Sequence, residues 1–234
     1  MKVRYLVKYS KDSEIKFISH LDLMRTIQRI IRRAGLPIEY SKGFNPHMTI
    51  SIAQPLSVGV YSKGEYMDVV FTEEMDTKII LDKLNQNTPS GVKFFDVVKV
   101  EKGETGKAPQ AMAIIDAAEY VMKIKSFDIK ETMKSLEQVK NMPQWNILKK
   151  SKSGEKEVDI KPLIKDLTIK SSENLLILEA TIACGSRENL SPSLLADYIK
   201  EHVEYIDKEA FVDIERLDMY AYKNNKLVPL NKFF

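Results

Sequence analysis

Across residues 2–100 the hydrophobic repeat switches between a two-residue and a roughly 3.6-residue period, and the order of those segments restricts the folds open to the chain. Residues 2–9 alternate as a strand, with Val3, Tyr5 and Val7 on one face. Residues 20–34 carry a helical stripe. Residues 48–53 read as a strand interrupted by Pro55, with residues 56–61 continuing it toward a turn at 62–64. A returning strand at 65–71, a helix at 76–87 with Ile79, Ile80 and Leu84 inward, and a strand at 92–100 complete the set. The order is β-α-β-β-α-β, which a ferredoxin-like domain realises as an antiparallel sheet with both helices on one face.

The pattern returns after residues 101–110, a stretch with glycines, a proline and no periodicity. Strands are expected at 117–125, at 145–149 and 155–160 as a hairpin around 151–154, at 175–183 and at 211–220, with 166–170 a further strand or an irregular insert. Helices are expected at 128–141 and 192–203, the latter with Ser191 as cap and Pro192 in its first turn. The two halves share element order without evident sequence identity. The fold class that follows is α+β: two tandem ferredoxin-like domains at 1–103 and 113–222, a linker at 104–112 and a tail at 223–234. A single mixed α+β domain is the alternative.

The segment 17–47 concentrates the chemistry. Ser19 suits an N-cap and Asp22 stands three residues on, its carboxylate in the first turn where the helix dipole favours it. Leu23, Met24, Ile27, Ile30, Ile31 and Ala34 form the apolar stripe, and Gly35 followed by Pro37 ends the helix. Arg25, Arg29, Arg32 and Arg33 fall on the opposite side. Residues 1–60 hold ten Lys/Arg against four Asp/Glu, whereas the remaining 174 residues hold 26 against 29, so the net charge of +3 is gathered at one end. A basic helix face of this kind fits an anionic partner, RNA foremost, since guanidinium groups grip phosphate bidentately. A merely solvated face is the alternative.

Beyond the helix, Ser41 to His47 (SKGFNPH) forms a loop with its own candidates. Lys42 and Asn45 are placed to contact RNA, and Phe44 either stacks on a base or pins the loop to the core. If this loop folds over the helix start, His20 and His47 share a surface with Arg25, and two imidazoles suit proton transfer near neutral pH. That arrangement would serve a metal-independent endoribonuclease. Equally, His20 and Asp22 suit a capped helix start, with Asp22 orienting a ligand at most, and His47 a loop hydrogen bond. In the second half, residues 184–189 precede a helix whose first N–H groups, with Arg187, form a further anion site or an ordinary connection. The spacing of the two histidines and Asp22 matches no zinc signature, so no metal is expected.

One cysteine, Cys184, excludes an intrachain disulfide and any multi-cysteine cluster, and no apolar run approaches the roughly 20 residues needed to span a bilayer. No signal peptide is read at the N-terminus, and a cytoplasmic protein without membrane or DNA partners is expected.

The motifs SHLDLMR (19–25), YSKGFNPH (40–47), PLSVGV (55–60) and GEY (64–66), followed more weakly by AEY (118–120), VDIKPLI (158–164) and the region 185–192, resemble the bacterial radical SAM-linked family, a domain of unknown function found alone or C-terminal to a radical SAM protein. Met48 stands where such sequences commonly carry proline. The resemblance implies a radical SAM partner and neighbouring genes for an E/G-type ribonuclease and ribosomal proteins. The chain has no CxxxCxxC motif, so no cofactor is expected on it. Its two-domain plan also resembles CRISPR repeat-processing endoribonucleases, although a shared fold does not transfer function. The expected function is that of an accessory protein, more an adaptor than an independent enzyme, holding tRNA or rRNA for a radical SAM enzyme through the arginine face, the 41–47 loop and a cleft between the domains. The endoribonuclease and a protein-interaction module without RNA contact are the alternatives.

Overall fold

Strand β1 (Val3–Lys11) buries Tyr5, Val7 and Tyr9 on one side and Leu6 and Ser10 on the other, as a strand covered on both faces does. The structure is a computed structural model and describes residues 2–101, 108–151 and 154–234. It divides into two units, residues 1–116 with 216–234 and residues 117–215.

In the first unit β1 is followed by α1 (His20–Arg33), β2 (Ile50–Ile52), β3 (Val60–Phe71), α2 (Thr77–Gln86), β4 (Phe94–Lys99) and α3 (Ala111–Ile114). β1 pairs antiparallel with β3 and β4, and β2 pairs antiparallel with β3. Leu23, Ile27, Ile30 and Ile31 of α1 and Ile80 and Leu84 of α2 join Tyr5, Val7, Met67 and Val69 in one core, so both helices cover the same sheet face. Each such side chain contributes about 1.5–3 kcal/mol by leaving water. Ser19 caps α1 by accepting the Asp22 N–H at 3.2 Å. The helix closes with the Gly35 N–H on the Arg32 carbonyl and the Leu36 N–H on that of Ile31, with Gly35 at φ +60°.

The turn expected at 62–64 is absent: β3 runs unbroken from Val60 to Phe71. Gly64 serves a close approach instead. A Cβ there would lie 2.3 Å from the Leu217 carbonyl oxygen and 2.5 Å from the Asp218 Cα. Both belong to β10 (Asp213–Lys223), whose residues from 216 onward lie in this unit beside β3. Gly64→Ala forces backbone from backbone, and a loss of about 1–3 kcal/mol in urea unfolding is expected.

β11 (Lys226–Pro229) pairs antiparallel with β10, and the turn at Leu230–Lys232 packs against β1 and β4. The residues expected as the end of a second domain and a tail therefore lie in the first unit from Arg216 on. Buried polar partners hold them: Arg216 to Glu65, Asp218 to Tyr66 and Lys8, and Asn231 to Asp96.

The second unit holds β5 (Ala117–Lys125), α4 (Ile129–Lys140), β6 (Asn146–Ser151), β7 (Gly154–Asp159), β8 (Ile164–Ser172), β9 (Leu175–Ala183), α5 (Pro192–His202) and the start of β10. β5 and β8 flank β9 in antiparallel register, with Tyr120 opposite Ala180 and Met122 opposite Leu178. α4 lies against β9 and α5 against β5. Trp145 is buried, stacks on Tyr198 at 5.0 Å and donates its indole N–H to the Val139 carbonyl. Ser191 holds the N-cap position of α5 but makes no side-chain cap hydrogen bond. The fold is thus α+β, with antiparallel pairing and, in the first unit, both long helices on one face. The expected linker overlaps residues outside the described ones, as does the tip of the β6–β7 hairpin; of the linker, residues 111 and 112 open α3.

Candidate functional site

Amphipathicity alone sets the first surface. With its apolar stripe against the sheet, α1 turns Arg25, Arg29, Arg32 and Arg33 outward, and all four are exposed. Arg25 is engaged, its Nη1 lying 3.0 Å from Asp22 Oδ1. The Ser19 hydroxyl donates to Asp22 Oδ2 at 2.7 Å, and that bond, followed by Arg25, holds the Asp22 carboxyl below its usual range. Asp22 therefore braces the helix start and Arg25. Arg29, Arg32 and Arg33 make no ion pair among the described residues. Eight residues of helix separate Arg25 from Arg33, about 12 Å of cationic edge.

The second surface lies on the other face of the sheet. Alternation sends Val3, Tyr5 and Val7 toward α1, so Arg4 points away from it, and the register partners Arg4–Val70 and Leu6–Asp68 place Val70 and Asp68 on that same side, opposite α1 and α2, where α3 meets β2 and β3. Ser51, partner of Asp68 across β2 and β3, joins them. These residues, with Ser41, His47, Met48, Thr49, Ile50 and Gln110, line a cavity of about 200 Å³. The 41–47 loop closes at its base: Ser41 N–H donates to the His47 carbonyl at 2.8 Å, and Ser41 Oγ lies 3.0 Å from His47 Nδ1. Lys42, Phe44 and Asn45 are exposed at the tip, Phe44 completely, which rules out a pinning contact with the core.

The two histidines are not brought together. Lys11, at the far end of β1 from Arg4, donates its ammonium to the carbonyls of Lys16 and Ile18, just before His20. His47 shares its cavity with Arg4 instead. About 23 Å of strand lies between Arg4 and Lys11, so the expected constellation of His20, His47 and Arg25 does not form. The physical reason is the antiparallel course of α1 over the sheet: residues 17–20 begin it at one end and residues 35–47 leave it at the other. The arginine edge and the cavity likewise address opposite faces, joined by the loop that begins eight residues after Arg33. Arg187 is exposed in the second unit, in the connection between β9 and α5.

Arg4, Asp68 and Gln110 escaped the sequence reading. A signal was present in EYMDVVF, where Asp68 interrupts a run of buried apolar residues. Asp68 is 3% exposed. Its Oδ2 accepts the Ala111 N–H at 2.8 Å, while Oδ1 carries no hydrogen bond among the described residues and faces Arg4 Nε at 3.5 Å. Arg4 is itself tied to the carbonyls of Ala108 and Pro109. Burial raises the Asp68 pKa, opposed by the Ala111 hydrogen bond and Arg4.

A raised folded pKa means that the native state binds the proton more tightly than the unfolded chain. The stability from Asp68 is then greatest at low pH and is lost as pH rises from the ordinary carboxylate value, about 3.9, through the raised folded one. Asp68→Asn keeps an oxygen for Ala111 and removes the charge. The variant is expected to match or exceed the wild type in urea unfolding at pH 7, with its advantage shrinking toward pH 4. An advantage that grows on acidification would contradict this assignment.

Residues 4–192 match the family model described as "Uncharacterized protein conserved in bacteria (DUF2344)". The chain belongs to the DUF2344 family. The family is associated with radical SAM proteins in bacteria. The DUF2344 match takes in both candidate surfaces and Arg187 but ends before β10 and β11. No curated protein sequence matches the chain. Among solved structures, a chain of "Crystal Structure of a Cbf5-Nop10-Gar1 Complex" is 9% identical with a TM-score of 0.49, over 94% of this chain. The DUF2344 chain spans 50% of that chain's length. "Crystal Structure of an Unknown Protein from Galdieria sulphuraria" is 12% identical with a TM-score of 0.27, over 92% of this chain and 98% of that one. At these scores neither structure assigns a fold or a function here. Among the described residues no helix is long and apolar enough to cross a membrane, and no three His, Cys, Asp or Glu side chains gather to hold a metal ion.

Proposed function

We propose that this chain is an RNA-associated accessory protein that holds tRNA or rRNA for a radical SAM modification enzyme. The observation that carries the reading is the outward edge of α1, where Arg29, Arg32 and Arg33 stand exposed with no ion pair among the described residues. Three guanidinium groups about one to three residues apart on a rigid helix suit a phosphate backbone, which repeats its charge at comparable spacing. Arg25 adds to this edge while braced by Asp22. Lys42, Phe44 and Asn45 extend it with a cation, an exposed ring and an amide, the elements of single-strand contact. Arg187 contributes from the second unit. The association of the family with radical SAM proteins supports a radical SAM partner. In this reading the first unit is a ferredoxin-like β-α-β-β-α-β domain and the second an elaborated copy of the same order, and the protein works in the cytoplasm.

Purified protein mixed with labelled total RNA in EDTA at low salt tests the reading. Retained, uncut RNA whose binding weakens steeply with salt supports it. Cleavage abolished by removing either histidine favours the endoribonuclease, which the separation of His20 from His47 speaks against. Absence of retention while a radical SAM protein co-purifies leaves only a protein-interaction module.

A further inference from the structure

We propose that β8 is a self-complementary sheet edge through which two copies of this chain pair antiparallel, Thr168 against Thr168. The inference stands independently of the RNA reading. β8 runs nine residues, Ile164–Ser172, and among the described residues it pairs with β9 alone, so one side of its backbone has no strand beside it. Folded proteins keep such edges short, break them with proline or turn them away with a bulge. Here the bulge falls between Ile164 and Asp166, and the stretch from Asp166 to Ser172 stays in regular register without a proline. The strand is also longer than the usual five or six residues or so.

The side chains name the neighbour. Leu167 and Ile169 stand opposite the buried Ala180 and Leu178 of β9 and so share the core face, yet both stay only half-buried. Asp166, Thr168 and Lys170 alternate onto the other face and are exposed. From the middle outward, Asp166–Lys170 (DLTIK) is a palindrome in kind: threonine at the centre, a branched apolar residue on each side, opposite charges at the ends. An antiparallel pair centred on Thr168 sets Leu167 against Ile169 of the second copy and Asp166 against Lys170 of the second copy, and the two-fold axis repeats both contacts. An isologous interface requires this, because one patch must complement itself. Centring the pair on Leu167 or Ile169 instead leaves both charges opposite neutral residues, so the charges fix the register. Lys170 holds Glu179 at 2.7 Å within its own chain, while Asp166 makes no ion pair among the described residues. Pairing gives Asp166 a cation, and the three donors of the Lys170 ammonium serve both carboxylates. The helices permit the approach. α4 lies against β9, and the two β9 strands stand three strand spacings apart, about 14 Å, enough for two helices of about 10–12 Å diameter side by side.

Sedimentation velocity of the full chain at low salt, over about 1–200 μM, tests the pairing. One strand pair makes a small interface, so the mass should rise from monomer toward dimer with a dissociation constant on the order of tens of micromolar. Asp166→Lys alone sets like charges against one another at both ends of the pair, and so does Lys170→Asp alone. Each should weaken dimerisation by about tenfold or more. Both side chains are exposed, and the Lys170–Glu179 pair lies at the surface, so urea unfolding should change little. Mixing the two variants in equal amounts restores both charge pairs in the heterodimer, and dimer should reappear near wild-type affinity. A wild type that stays monomeric throughout overturns the proposal and leaves the edge to a strand of another protein. Dimers indifferent to both single variants, or variants that mixing does not rescue, overturn it as well, whatever RNA binding shows.

Discussion

Removing one partner of the Glu65–Arg216 pair is expected to cost about 3–5 kcal/mol, whereas removing both will cost much less. The two side chains are each 1% exposed and joined by Arg216 Nε at 2.8 Å and Nη2 at 2.5 Å to Glu65 Oε1. Neither charge has water to return to when its partner is truncated. Glu65→Ala strands a guanidinium and Arg216→Ala strands a carboxylate, and either loss is a large share of the 5–15 kcal/mol that holds a typical domain. Arg216 also donates to the Gln54 carbonyl at 2.6 Å, so the apolar double variant Glu65→Leu/Arg216→Met still forfeits about 1–3 kcal/mol for that unsatisfied acceptor. Urea midpoints at constant m-value will show the single losses to be strongly non-additive. Additive losses would mean that the pair does not act as a unit.

The same pair organises a wider buried group. Tyr9 is completely buried with a hydroxyl that has no hydrogen-bond partner among the described residues, and its pKa is raised well above the usual phenol value by burial and then by Glu65, with Arg216 opposing. Lys11 is also buried; desolvation lowers its pKa, although its ammonium reaches the Lys16 and Ile18 carbonyls. These groups cluster where β10 meets β3. The pair therefore ties the C-terminal segment into the first unit.

The second large effect is expected from Arg29→Glu/Arg32→Gln/Arg33→Gln. Each phosphate contact to a single strand contributes about 0.7 to the slope of log affinity against log salt, so losing three lowers that slope by about two. Binding of total RNA at low salt should fall by two or more orders of magnitude, on the order of what three counterion-releasing contacts supply. Glutamine at 32 and 33 avoids placing acid in the last turn of α1, where the helix dipole disfavours it. The three arginines lie outside the buried stripe of Leu23, Ile27, Ile30 and Ile31, so unfolding should change little. Unaltered RNA affinity and salt slope in this variant would remove the support for the accessory reading. Arg25 is left in place because its loss would also free Asp22 and disturb the helix start.

What the sequence determined by itself lies within a few residues along the chain. The α1 cap at Ser19, its closure at Gly35, its buried stripe and its arginine edge are interactions between residues one to five apart, and they were legible before any tertiary contact was known. So were β5 and β9, whose alternation marks Ala117–Lys125 and Leu175–Ala183 to the residue. Tertiary structure alone decided the rest, because strand order and register bring together residues whose spacing carries no local signal. Glu65 and Arg216 are 151 positions apart, Gly64 reads as a turn until β10 lies against it, and Asp68 is tied down only when Arg4 and Ala111 close around it. The same geometry parts His20 from His47, since an antiparallel helix carries the two ends of one short sequence segment to opposite ends of the sheet.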